Sequence, residues 1–132
     1  MKTLIVEDEF ISRRLLQAIL GPYGICDAAV NGKEAVEAFT RSWEKNCPYD
    51  LICLDILLPE MDGHEVLSEI RRLEAQRNLK IVDAVKVIMT TSLQDPNNIM
   101  KAFKNNCEEY LSKPIDKQKL LRKIRKMGLI SK

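Results

Sequence analysis

Along the 132 residues, short apolar runs rich in β-branched side chains alternate with stretches where apolar residues recur every three or four positions. The first pattern marks strands buried on both faces, the second amphipathic helices. Strands are predicted at 3–6 (TLIV), 25–30 (ICDAAV), 51–54 (LICL), 85–90 (VKVIMT) and 109–112 (EYLS), the second being the least apolar. The first helix carries Phe10, Ile11, Leu15, Leu16 and Ile19 on one side and stops at Gly21-Pro22. Asn31 caps the second, which presents Ala35, Val36, Phe39 and Trp43. The third follows Gly63 and presents Val66, Leu67, Ile70 and Leu73. Asp95-Pro96 opens a fourth, with Asp as N-cap and Pro at the first helical position. A fifth starts at Asp116, presents Leu120, Leu121, Ile124 and Met127, and stops at Gly128. Residues 74–84 (EAQRNLKIVDA) suit either more of the third helix or its exit loop.

Strands alternating with helices predict a doubly wound parallel α/β sheet with right-handed crossovers and helices on both faces. There is no repeat, low-complexity stretch or linker, so one domain spanning 1–132 is expected. No output module follows the last helix within these residues, which suits a stand-alone unit and equally one domain of a longer protein.

Composition excludes more than it proposes. An apolar fraction of 45% and a charged fraction of 30% are ordinary for a globular chain, and a net charge of +2 singles out no partner. The charge is uneven: residues 113–132 hold eight Lys or Arg and one acid, leaving thirteen basic and eighteen acidic residues elsewhere. A basic terminal helix of this kind is a solvated face or a surface for a protein partner, and direct nucleic-acid binding is not expected. Cys26, Cys47, Cys53 and Cys107 lack metal-site spacing and read as buried small hydrophobes or free thiols, which suits a reducing cytoplasm. MKTLIVEDE meets acids too early for a signal peptide, and no run reaches the ~20 apolar residues of a membrane span. A cytoplasmic protein without membrane insertion is expected.

Candidate chemistry starts from Asp55, which directly follows four apolar residues. A carboxylate there is costly unless it points out of the core. In a doubly wound sheet, ligands bind outside the carboxyl ends of the strands. Those ends carry Glu7-Asp8-Glu9, Asp55, Thr90-Thr91-Ser92 and Lys113-Pro114. Clustered carboxylates call for a cation, and oxygen-only ligands favour Mg²⁺. A carboxylate beside it can attack phosphorus, while Lys113 and Thr91 can supply an ammonium and a hydroxyl to the transferring oxygens. Pro59 and Gly63 read as turn formers, and His64, at a helix start, as exposed.

With VEDE, LDILLPEMDG, MTTS and YLSKP in that order, the chain resembles, over essentially its whole length, the receiver domains of two-component response regulators, including the single-domain chemotaxis regulators. The resemblance implies a flavodoxin-like strand order 2-1-3-4-5. It implies Asp55 as phosphoacceptor and also a Mg²⁺ ligand, Asp8 as a direct Mg²⁺ ligand, Glu7 acting mainly through water, and Leu57 offering its backbone carbonyl, with Mn²⁺ able to substitute. Thr91 would be the phosphate-bound hydroxyl, Lys113 the phosphate-bound cation and Tyr110 the switch aromatic. The implied partners are a histidine kinase or phosphotransfer protein, and a downstream protein or second copy. The latter would meet the face built by the helix after Asp95, the fifth strand and the last helix. Such a protein phosphorylates and dephosphorylates itself and is no enzyme of metabolism. Glu7 departs from the Asp often found in the family, Asn106-Cys107 from a Gly-containing turn, and residues 74–84 from the usual length.

Three rivals are weaker. A phosphohydrolase with an aspartate nucleophile places a second acid two residues on, where this chain has Leu57. A flavin carrier needs a Ser/Thr/Gly-rich loop after the first strand, and EDEFISRR is acidic instead. A docking receiver that never takes phosphate has no need of every reactive position being filled.

Overall fold

A computed structural model describes residues 1–79, 83–92 and 107–131. Thr3–Val6 (β1) leads to Phe10–Leu20 (α1) and a 3-10 turn, Gly21–Tyr23. Cys26–Ala29 (β2) leads to Gly32–Glu44 (α2), and Leu51–Asp55 (β3) to Gly63–Gln76 (α3). Lys86–Thr91 (β4), Glu109–Ser112 (β5) and Lys117–Lys126 (α4) complete the described elements. The helix predicted from Asp95-Pro96 and Asn106 of the predicted turn lie outside the described residues. All strand pairs are parallel, in the predicted order β2-β1-β3-β4-β5. The direction of winding reverses between β1 and β3, which opens a crevice at their carboxyl ends.

The helices start where short polar side chains satisfy free backbone N–H groups. Asn31 accepts from the Glu34 N–H, Asp62 from Glu65 and Asp116 from Lys119. Each such cap stabilises its helix by about 1 kcal/mol. Successive strand residues face two separate cores. Leu4, Val6 and Leu54 pack with Phe39 of α2 and Ile70 of α3, while Ile5 and Cys53 pack with Leu20 of α1 and Ile124 of α4. Burial on both faces is why these strands read as continuous apolar runs.

Several expectations need correction. The apolar residues of α1 do not share one buried face: Leu16, Ile19 and Leu20 are buried, but Phe10 is 62% and Ile11 73% exposed, and Leu15 is exposed too. The C-terminal half of α1 packs on the sheet, whereas Phe10 and Ile11 sit in its first turn, just past the end of β1. His64 is 3% exposed rather than open to solvent. The Gly63 N–H donates to Ile56 O at 2.8 Å, and a Cβ at Gly63 would lie 2.4 Å from Asp55 O. Only glycine lets the first turn of α3 come down on the end of β3, and that close seating covers residue 64. In the ambiguous segment 74–84, the helix continues to Gln76, and a turn with Asn78 at φ 56° follows. Cys53 and Cys107 are buried, Cys26 is half-buried and Cys47 is exposed. Among the described residues, no helix is long and apolar enough to cross a membrane.

Candidate functional site

The pairing of β1 with β3 sets Val6 opposite Leu54, so the next residues, Glu7 just past β1 and Asp55 at the end of β3, lie side by side. Both are buried, Glu7 completely and Asp55 to 4% exposure. Lys113, immediately past β5, reaches back across the sheet ends. Its Nζ donates to Glu7 Oε1 at 2.9 Å and Oε2 at 3.0 Å, and lies 3.2 Å from Asp55 Oδ2. The Lys113 backbone N–H donates to Thr91 O at 2.7 Å, and the Lys113–Pro114 peptide is cis. Asp8, exposed at the rim, completes the group: one carboxylate oxygen each from Glu7, Asp8 and Asp55 lie within 4.8 Å of one another.

This charge set does not balance. Two carboxylates at such a distance repel by roughly 3–4 kcal/mol at the effective dielectric of a protein surface. One ammonium faces three acids. Burial, followed by the hydrogen bond with Asp55, pushes the Glu7 carboxyl up to about 7 against the pull of Lys113. Burial disfavours the Lys113 ammonium, but its hydrogen bond to Glu7 and the Asp55 and Glu7 charges outweigh that and hold its pKa above the ordinary value. Lys113 therefore stays charged, and a proton on Glu7 relieves part of the remaining repulsion. A divalent cation can do the same more completely. Three oxygen donors without nitrogen or sulfur, two buried and one at the open rim, fit Mg²⁺.

The other predicted positions lie around this cluster. The Leu57 N–H donates to Asp55 Oδ1 at 3.2 Å, and its side chain is 53% exposed. Thr90 and Thr91 are both buried at the end of β4; Thr90 pairs in register with Asp55, and Thr91 with Ser112. Tyr110 is not in the cluster. It is half-buried in β5 and lines a hollow of about 370 Å³ with Lys119, Arg122 and Lys123 of α4.

Two contributors escaped the sequence reading. Arg13 folds back one turn, its Nη1 donating to Glu7 O at 3.1 Å and Asp8 O at 3.3 Å, which pins the acidic loop. Glu9, grouped by sequence with the other strand-end acids, caps α1 instead, accepting from the Ile11 and Ser12 N–H groups at 3.1 and 2.6 Å. The signal for that cap was its place directly before a helical run.

The sequence model of the response regulator receiver domain matches residues 3–125. The chain belongs to that family. It is 34% identical over 121 residues to the chemotaxis protein CheY of Halobacterium salinarum, covering 91% of this chain and 90% of that protein. Among solved structures, the CheY of a CheX–CheY–BeF₃–Mg²⁺ complex from Borrelia burgdorferi superposes with a TM-score of 0.82 at 25% identity, covering 97% of this chain and 89% of the other. The receiver domain of Ssk1, crystallised with the histidine phosphotransfer protein Ypd1 of Saccharomyces cerevisiae, gives 0.82 at 30% identity, covering 97% and 88%. The chain is thus a receiver domain of two-component phosphorelay signalling, a family of switches rather than of conventional enzymes. Receiver domains bind Mg²⁺ at an acidic site, and the acidic cluster of this receiver is that of Glu7, Asp8 and Asp55.

Proposed function

We propose that this receiver, as a single domain over residues 1–132, takes a phosphoryl group onto Asp55 from a phosphohistidine and later loses it to water. The carrying observation is a buried strand-end carboxylate, Asp55, held 3.2 Å from the Lys113 ammonium in a cluster with one unbalanced acid at its open rim. An Asp55 carboxylate oxygen forms the new P–O bond as the P–N bond to the donor imidazole breaks, and the electron pair leaves with the imidazole. Lys113 turns from Asp55 toward a phosphoryl oxygen, and the Thr91 hydroxyl donates to another. Asp8, Asp55, Glu7 through water, and the Leu57 carbonyl would hold Mg²⁺ or Mn²⁺, which supplies positive charge beside the transferring oxygens. Leu57 offers no acid to protonate a leaving group, which speaks against a hydrolase acting on metabolites.

The partners follow from the same reading. Acting in the cytoplasm, this receiver takes its phosphate from a histidine kinase or phosphotransfer protein, and the complex of the Ssk1 receiver with Ypd1 supports that kind of donor. The output face is β5 with Tyr110, α4 and the helix expected after Asp95, meeting a downstream protein or a second copy. Phosphoryl oxygens that draw in Thr91 and Lys113 shift the ends of β4 and β5, and Tyr110 lies on β5.

The test is labelling with acetyl phosphate. Label is expected only with Mg²⁺ or Mn²⁺ present, and Asp55→Asn abolishes it while the amide spectrum keeps the native dispersion. Thr91→Ala still labels but transmits weakly to residues 107–127, whereas Thr90→Ala transmits normally. Stable label on Asp55→Asn at the wild-type rate overturns the assignment.

A further inference from the structure

Away from the acidic cluster, the first turn of α2 is seated on the loop that leaves β3. A Cβ at Gly32 would lie 2.7 Å from Val66 Cγ2 and 3.0 Å from Met61 Cβ and Sδ. Helix and loop are therefore in direct packing, and the hollow beside them is preformed. Its volume is about 430 Å³, within the range of ligand-binding clefts. Val36, Pro59 and Met61 line it as apolar groups. Glu37, Glu60 and Glu65 stand around them, and the ion pairs among the described residues leave all three unmatched. Against them the lining contains one cation, Lys33, while Glu69 is paired with Arg72.

We propose that this hollow docks a helical segment of a partner protein, presenting one apolar side chain between Lys or Arg residues four positions apart. The apolar lining takes the anchor, and the unmatched glutamates take the cations. Glu65 is unmatched and Glu69 is held by the exposed Arg72, a surface pair worth little that a partner's cation can replace. The two are four residues apart on α3, a rise of about 6 Å that matches the spacing of cations on a facing helix. Among the described residues, the basic helix that a second copy of this chain would bring does not fit. That helix, α4, buries Leu120, Leu121 and Ile124 in its own core and has no such anchor to offer. Nucleic acid is excluded by the sign of the charge, and a hydrated metal ion by the apolar lining. The occupant touches Pro59, Glu60 and Met61, a few residues beyond Asp55, but its binding does not depend on the role of Asp55.

The probe is a fluorescent, alanine-based synthetic helix of about 16 residues, carrying a leucine between lysines four positions apart. It is titrated into the intact chain and followed by anisotropy and amide NMR. Shifts are expected at residues 33–37, 59–61 and 65–69. Replacing the leucine by glutamine weakens binding about tenfold. The double variant Glu37→Lys/Glu65→Lys, changed at two exposed positions, weakens it at least as much. That variant then binds the peptide whose lysines are replaced by glutamates. Any one of three results overturns the proposal: no saturable binding, shifts centred on β5 and α4 or on residues 7, 8 and 55, or indifference to the leucine.

Discussion

The same sheet carries an ion network at each end, and the two are built differently. At the amino ends of the strands, Arg71 of α3 donates to Glu74 Oε1 at 2.7 Å, Val85 O at 2.9 Å and both Glu108 oxygens at 3.1 and 3.2 Å. The remaining needs of the acids are met by backbone: Val85 N–H donates to Glu74 Oε2 at 2.7 Å, and Val87 N–H to Glu108 Oε2 at 2.5 Å. Each carboxylate there has a cation and a peptide donor, and three elements are tied into one unit. At the carboxyl ends, Glu7 and Asp55 share the Lys113 ammonium, and the third carboxylate of the cluster, Asp8, stands open at the rim. Buried charge alone therefore does not mark a functional site. Charge left unbalanced, beside an opening, does.

The largest effect should come from breaking the balanced network. Arg71→Met leaves Glu74 and Glu108 without their cation and should cost about 3 kcal/mol of stability, measured by urea denaturation. The Mg²⁺-dependent stabilisation should be unchanged, since the other end is untouched. Loss of that Mg²⁺ response together with stability would show that the two networks are one.

The unbalanced network should reveal itself through pH. The Glu7 carboxyl titrates near 4.5 in an ordinary environment and at about 7 in the fold. Between those values the folded state binds more protons than the unfolded state, so this group's contribution makes stability fall as pH rises from 4.5 to about 7, then level off. The decline attributable to Glu7 is at most about 3 kcal/mol. Denaturation midpoints across that window should fall less steeply with pH in Glu7→Gln, and saturating Mg²⁺ should flatten the wild-type profile in the same way. Parallel profiles for Glu7→Gln and wild type would refute a strained Glu7.

The smallest effect concerns the open rim. Asp8→Ala should melt at or slightly above the wild-type temperature in metal-free buffer, because one repelling charge is gone. It should lose most of the Mg²⁺-dependent rise in melting temperature. If calorimetry finds the wild-type Mg²⁺ dependence in Asp8→Ala, Asp8 is not a ligand.

The sequence by itself determined the strands, the helices described around them and the parallel sheet, because apolar periodicity and caps such as Asn31 and Asp116 act over a few residues. It also placed Asp55, since a carboxylate ending a continuous apolar strand has few other places to point. Only the tertiary structure decided which polar groups meet. Lys113 bonds Glu7 across 106 positions of chain, and Arg71 bonds Glu108 across 37. Such pairs depend on strand register and on the reach of long, flexible side chains, neither of which leaves a periodic trace. His64 and α1 were misread for a related reason. Periodicity names an apolar face, but the seating of Gly63 against Asp55 and the limited contact of α1 with the sheet decided what is covered.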